Sequence, residues 1–306
     1  MTMNIVYSDT YDLNLDAHPW HTSKYRLALD LIKKQGLIDA AQILEPPIAA
    51  ADVIQSVHTV EYYNKFATLD FTPEEAKKAE IPLTAETTEL FRRMTGGTIL
   101  ASEQALADGL CIHFGGGFHH AFPAHAAGFC LLNDIAISLR VLLQRGTIGS
   151  AAVIDCDLHQ GDGTAWIFGD DPRVFTLSIH QQDAFPSPKQ HSDLDVGLPL
   201  GTGDLEYLAA LDTALDRLFD AQGHFDLIHY QAGVDPYEGD LLGRLRVSED
   251  GLRQRDRRVI AAAVARAIPL VITLGGGYTA RAYEVARLHA NTVVEALLAE
   301  QRHGGR

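Results

Sequence analysis

The chain has 306 residues, 46% of them hydrophobic and 21% charged, which excludes a disordered chain and a collagen-like fibre. Its 25 Lys and Arg against 40 Asp and Glu leave a net charge of −15, which argues against a nucleic-acid or anionic-membrane partner. At about 150 residues per domain the length allows two domains, but α/β folds often run longer as one.

The first apolar, β-branched run is Ile5–Tyr7. The N-terminal residues carry no basic segment followed by a long apolar run, so no signal peptide is expected. No apolar stretch reaches the about 18–20 residues that a membrane helix needs. Thr72-Pro73-Glu74-Glu75 reads as a helix cap with proline at the first helical position. Cys111–Phe114, Ala151–Ile154 and Val174–Ile179 read as further buried strands. Leu205, Leu208, Leu211, Leu215, Leu218 and Phe219 make one apolar stripe at helical spacing. Asp226–Tyr230 is the next strand, Ser248-Glu249-Asp250 caps a helix running to about Ala267, Leu270–Leu274 is a strand, and Arg281–Ala299 a final helix. Residues 301–306 read as a short, frayed basic tail. Cys111, Cys130 and Cys156 show no CxxC spacing, so neither a disulfide framework nor a thiolate zinc site is expected, and the setting reads as reducing and cytoplasmic.

Strand and helix alternating in this way imply one α/β domain, residues 1–300, in three αβα layers around a mainly parallel sheet. In such sheets ligands bind beyond the carboxyl ends of the strands, and each apolar run here leads into chemistry. Cys111–Phe114 leads into Gly115-Gly116-Gly117-Phe118-His119-His120. Ala151–Ile154 leads into Asp155-Cys156-Asp157-Leu158-His159-Gln160-Gly161-Asp162. Val174–Ile179 leads into His180, Asp226–Tyr230 into Gln231-Ala232-Gly233-Val234-Asp235, and Leu270–Leu274 into Gly275-Gly276-Gly277-Tyr278.

In extended chain, Asp155, Asp157 and His159 share one face while Cys156 and Leu158 take the other. Two carboxylates crowded on one face repel unless a cation lies between them. Alone, the segment fits a pair of N-cap aspartates equally well; a third ligand must come from elsewhere, and Asp235 ends another strand. Three protein ligands with an open position are a catalytic arrangement that suits Zn²⁺, with Fe²⁺ or Mn²⁺ as alternatives. Adjacent His119 and His120 suit proton transfer better than shared ligation, with Asp155 and Asp162 as spare carboxylates to orient them. A tyrosine is more often a packing residue, but Tyr278 on a glycine-rich turn can donate to a developing oxyanion. Neither glycine cluster continues as G-x-G-x-x-G or carries a P-loop lysine, so nucleotide binding is discounted.

With these motifs, and with Gly128–Asp134 (GFCLLND) and Ser178-Ile179-His180, the chain resembles the histone deacetylase superfamily, which has the arginase-like fold. The motifs follow one another in order over most of the chain. His18-Pro19, Gln160 and Val234–Asp240 with Leu242 resemble class IV deacetylases and their bacterial relatives most. The resemblance implies Asp157, His159 and Asp235 as metal ligands. It implies His119 paired with Asp155 and His120 with Asp162, His120 being the principal base and acid and His119 largely electrostatic. It implies Tyr278 as the carbonyl-polarising tyrosine. It makes Phe129 and Phe185 two aromatic walls of an acyl-lysine channel with Leu242 at a third wall position and Gly128 also binding substrate, and Asp155, Asp157, His159, Ser178 and Ile179 a structural K⁺ site held mostly through backbone carbonyls. The expected function is metal-dependent hydrolysis of acetyl or longer acyl groups from N-acyl-lysine, or from acetylpolyamines and other small acylated amines. A two-manganese arginase-like hydrolase would need further bridging ligands, and a non-catalytic binder should have lost a ligand, the tyrosine or a histidine. Composition and motifs leave the oligomeric state open.

Overall fold

The computed structural model describes residues 3–303. Strands β1 (Asn4–Val6), β2 (Ile43–Leu44), β3 (Leu110–His113), β4 (Ala151–Asp155), β5 (Val174–Gln181), β6 (Leu194–Leu198), β7 (Leu227–Gln231) and β8 (Leu270–Thr273) form one sheet, ordered β2-β1-β3-β8-β7-β4-β5-β6. Every neighbouring pair is parallel. The helices are α1 (Ser23–Lys34), α2 (Ala51–Ile54), α3 (Val60–Thr68), α4 (Pro73–Ala79), α5 (Ala85–Asp108), α6 (Asp134–Gln144), α7 (Asp162–Phe168), α8 (Asp204–Ala221), α9 (Glu249–Val264) and α10 (Ala282–His303). α1, α10, α9 and α8 pack side by side over one face, and α5, α6 and α7 over the other.

Side chains alternate along a strand, and here both faces are covered, so both sets must be apolar. Ile112, Ile154 and Ile272 join the core under α1, α9 and α10, while Cys111, Val153 and Val271 join the core under α5 and α6. All six are at most 1% exposed, and fully burying such a side chain stabilises by about 1.5–3 kcal/mol. This explains why the central strands read as unbroken apolar runs.

Where the elements differ from the sequence reading, the cause is local. The two edge strands, β2 and β6, are additions: β2 has two residues, and Leu194 and Leu198 of β6 are buried while the residues between them are not. Thr72 and Glu75 form a reciprocal capping box at the start of α4, as the cap motif predicts. Leu205 does not belong to the apolar stripe of α8. It is 82% exposed in the first turn, while Leu208, Leu211, Leu215, Leu218 and Phe219 are buried. α9 ends at Val264, short of Ala267, which turns left-handed at φ 52°. α10 continues through Arg302 and His303 of the tail expected to fray; residues 304–306 lie outside the described residues.

The chain lays down β1 to β3, crosses to β4, β5 and β6, then returns to fill the gap with β7 and β8. The five adjacent strands β3, β8, β7, β4 and β5 therefore bring their carboxyl ends together, where this topology forms its crevice.

Candidate active site

β4 ends at Asp155, and the turn beyond it is shaped by its own carboxylates. Asp157 N–H donates to Asp155 Oδ1 (3.1 Å), His159 N–H to Asp157 Oδ1 (3.0 Å), and Leu158 N–H to Asp235 Oδ1 (2.8 Å). Gly276 N–H donates to Asp157 Oδ2 (3.1 Å), which ties the loop after β8 to the same group. A Cβ at Gly276 would stand 2.5 Å from Asp157 Oδ2 and 2.6 Å from Asp235 Oδ2, so only glycine lets the three loops close up. His159 Nδ1 lies 3.1 Å from Asp157 Oδ1 and 3.0 Å from Asp235 Oδ2. Asp157, His159 and Asp235 each offer one ligand atom within 4.8 Å of the others, all three residues being buried.

This donor set fits a cation. Burial, and then the charge of Asp157, push the Asp235 carboxyl up to about 7, a cost that a divalent ion between the carboxylates removes. Two oxygens and one imidazole nitrogen suit Zn²⁺, Fe²⁺ or Mn²⁺. Among the described residues no other group of such side chains comes together in this way.

His119 and His120 are delivered by a glycine turn after β3. Asp134, at the start of α6, accepts from Gly117 N–H (3.0 Å) and Phe118 N–H (2.7 Å), and the Gln231 amide donates to Gly117 O (2.8 Å). His119 Nδ1 meets Asp155 Oδ2 at 2.6 Å and His120 Nδ1 meets Asp162 Oδ1 at 2.6 Å. A carboxylate at Nδ1 keeps a proton there and turns Nε2 toward the cavity. The ring centroids are 4.0 Å apart. Burial works against charge on both rings. At His119, Asp155 and Asp157 outweigh it and raise the ring to about 9. At His120, burial and the neighbouring His119 prevail over Asp162 and lower the ring to about 4. The two adjacent rings are thus pushed in opposite directions, His119 up and His120 down.

Tyr278 N–H donates to Asp240 Oδ2 (2.7 Å) and Leu242 N–H to Asp240 Oδ1 (2.8 Å), so one carboxylate sets both residues. Burial, then Asp157 and Asp235, hold the Tyr278 phenol well above its ordinary value, so it keeps its proton. A cavity of about 530 Å³ has His120, His159 and Tyr278 among its lining with Gly128, Phe129, Phe185 and Leu242, and includes the exposed Glu80, Asp183, Leu200 and Arg244. Phe129 is left-handed at φ 67°, its N–H donates to Ala79 O (3.0 Å), and its ring sits 4.6 Å from His18 and 5.7 Å from Tyr278. Phe185 packs edge-on to His120 at 4.9 Å. A Cβ at Gly128 would lie 2.7 Å from both His120 Cδ2 and Phe185 Cε1. A second recess, bounded by Gly117, His119, Asp157, Gly276 and Tyr278, holds about 20 Å³, which is about the room of one water-sized group.

Ser178 and Ile179 lie on β5, with Asp155 paired in register to Ser178. Ser178 Oγ lies 3.0 Å from His180 Nδ1. Sequence reasoning misses two further buried cations, Lys24 and Arg255. Lys24 of α1 is buried, donates to Gly275 O (2.7 Å) and has its ammonium 5.6 Å from the Tyr278 ring centroid. Burial prevails over the nearby Asp235, Asp157 and Asp240 and lowers its amine to about 8. A signal was present in both helices. Lys24 occupies the buried stripe that continues through Ala28 and Ile32, and Arg255-Asp256 interrupt the one formed by Leu252, Val259 and Ile260.

Residues 18–294 match the family described as the histone deacetylase domain. The chain is 38% identical to an uncharacterised protein of Picosynechococcus sp., over 95% of this chain and 97% of that one. It is 34% identical to histone deacetylase 2 of Arabidopsis thaliana, over 90% of this chain and 74% of the relative. It is 31% identical to the acetoin utilization protein AcuC of Bacillus subtilis, over 78% and 68% respectively.

Proposed function

The chain belongs to the histone deacetylase family, and from that premise we propose that it is a zinc-dependent amidohydrolase that removes short acyl groups, acetyl foremost, from N-acyl-lysine. The observation that carries this reading is the buried Asp157/His159/Asp235 cluster beside a cavity lined by His120 and Tyr278. When bound there, a divalent ion supplies a Lewis acid and lowers the pKa of water toward ~7.

The chain's own residues do the rest. Phe129 and Phe185 take the lysine stem, whose charge is lost on acylation, and orient the amide. His120, neutral and held at Nδ1 by Asp162, accepts the proton of the attacking water at Nε2. The Tyr278 hydroxyl donates to the carbonyl oxygen as negative charge develops on it, an interaction worth about 3–4 kcal/mol for one donor. His120 then returns its proton to the leaving amine nitrogen, and the C–N bond breaks. His119, paired with Asp155, contributes its field. The 20 Å³ recess favours acetyl over longer chains.

Around this reading we group the finer assignments: K⁺ as a structural ion among Asp155, Asp157, His159, Ser178 and Ile179; kinship with class IV and its bacterial relatives; one catalytic domain over residues 1–300; and a cytoplasmic setting, supported by three unpaired, buried cysteines. No described helix is long and apolar enough to cross a membrane. The exposed Glu80 and Asp183 beside the cavity favour a second reading, in which the substrate is a small acylated amine carrying another cation.

The test is turnover on acetyl-lysine peptides and acetylpolyamines by metal-free protein and by protein reloaded with Zn²⁺, Fe²⁺ or Mn²⁺. Hydrolysis restored by one of these ions is expected. No hydrolysis of any acylated amine by the reloaded protein would overturn the proposal, and faster turnover of the polyamines would favour the second reading.

A further inference from the structure

Beneath the loops that carry Asp157 and Asp235 lies a guanidinium with no part in proton transfer. Arg255, on α9, is fully buried. Its Nη1 donates to Cys156 O (3.2 Å) and to Gly233 O (2.5 Å), and its Nη2 to Ala232 O (3.4 Å). These carbonyls lie just past the last paired residues of β4 and β7, where Asp155 faces Gln231 and the ladder stops. Cys156 adjoins Asp157, and Gly233 is two residues before Asp235. A single nitrogen therefore ties together the two loops whose carboxylates must face each other.

We propose that Arg255 is a positioning residue for the cation site, and that its planar fork, replacing the missing ladder hydrogen bonds, sets the separation of the Asp157 and Asp235 loops. The remaining donors are accounted for. Nε and Nη2 both reach Asp256 Oδ1, at 2.9 and 2.8 Å. Asp256 is held in turn by Tyr230 Oη (2.6 Å) on β7 and by Thr292 Oγ1 (2.7 Å) on α10. Arginine is required because its donors have fixed directions; a lysine ammonium is a point charge on a flexible stem and cannot span three carbonyls with the same geometry. A buried ion pair is not in itself a source of stability, which leaves loop geometry as the reason for the arrangement. This inference rests on the reading of Asp157, His159 and Asp235 as a cation site.

The test measures Zn²⁺ affinity on metal-free protein by competition with a chromophoric chelator, with no turnover involved. Arg255→Lys keeps the charge beside Asp256 and should weaken Zn²⁺ binding by about 10–100-fold, the usual cost of losing an outer-sphere partner. Val259→Ala, which hollows the buried face of the same helix, should lower the thermal midpoint of the metal-free protein and leave affinity unchanged. Amide hydrogen exchange at Asp157, Leu158 and Val234 should rise in Arg255→Lys and not in Val259→Ala. Should Arg255→Lys fail to fold, Asp256→Asn provides the second variant, with a smaller loss of affinity in the same direction. Unchanged affinity in the folded Arg255 or Asp256 variant, or an equal loss in Val259→Ala, overturns the positioning role alone. Failure of the wild type to bind a divalent ion overturns the cation site and the inference with it.

Discussion

Around the Asp157/His159/Asp235 cluster, Asp155, Asp157, Asp235, His119 and Gln231 are all buried, and each is tied to a neighbouring loop or strand. At the far side of the cavity, Glu80, Asp183, Leu200 and Arg244 are exposed. The walls between come from loops, with Phe129 in a left-handed conformation and Phe185 43% exposed. The buried end could not change a residue without orphaning a polar group, which costs about 1–3 kcal/mol or more when charged. The exposed end can change freely. On the proposed reading, reaction chemistry is thus fixed where burial is complete, and substrate choice is left to the exposed loops.

The comparison breaks most visibly at the metal. Chelation, or Asp235→Ala, should abolish hydrolysis, with metal content falling in parallel by elemental analysis. Full turnover after verified metal removal would contradict the division outright. Next in size, Tyr278→Phe removes one hydroxyl from the buried end and should cut kcat by ~10²–10³ with metal content unchanged. Wild-type turnover in that variant would make Tyr278 a packing residue.

Smaller again is Asp162→Asn. It leaves His120 in place but exchanges the carboxylate at its Nδ1 for an amide, and should lower kcat by ~10–100-fold with KM little changed, as loss of an orienting partner does. A rise in KM alone would move Asp162 from the chemistry to the wall.

The same contrast decided what could be read in the amino-acid sequence. The central strands are buried on both faces, so they read as apolar runs, and the chemistry after Ile154, Tyr230 and Leu274 converges in space because parallel strands end on one side. The edge strands β2 and β6 lack that double burial and left no such signal. Leu205 broke the stripe of α8 because it lies in the first turn, before the helix settles onto the sheet. The exposed end of the cavity was least legible. Glu80 borders it only because the left-handed end of α4 docks on Phe129 and His18, through Phe129 N–H to Ala79 O and His18 Nε2 to Glu80 O. Lys24 and, apart from its pairing with the adjacent Asp256, Arg255 satisfy backbone carbonyls, which carry no residue identity, so those partners could be found only in three dimensions.

The least drastic change sharpens the comparison most, since it touches wall and recess together. Phe129 lines both the cavity and the recess beside Tyr278, 5.7 Å from that ring. On the proposed reading Phe129→Ala uncovers part of the lysine stem, and with each buried CH₂ worth about 0.8 kcal/mol, losing cover over about two of them should raise KM for an acetyl-lysine peptide by roughly 5–30-fold. If Phe129 only walls the stem, kcat falls little; if it also props Tyr278, kcat falls with it, and the KM-against-kcat split separates the two. The recess of about 20 Å³ beside Tyr278 has room for about one water-sized group. Wild type should therefore prefer acetyl to butyryl and butyryl to octanoyl, and Phe129→Ala should narrow that order by giving the longer chains somewhere to lie. The measurement is KM and kcat for the three acyl-lysine peptides in both proteins. An octanoyl preference in wild type would mean that the recess opens on binding and that the buried end is not the rigid partner in this contrast. No change in any constant would place Phe129 in the core.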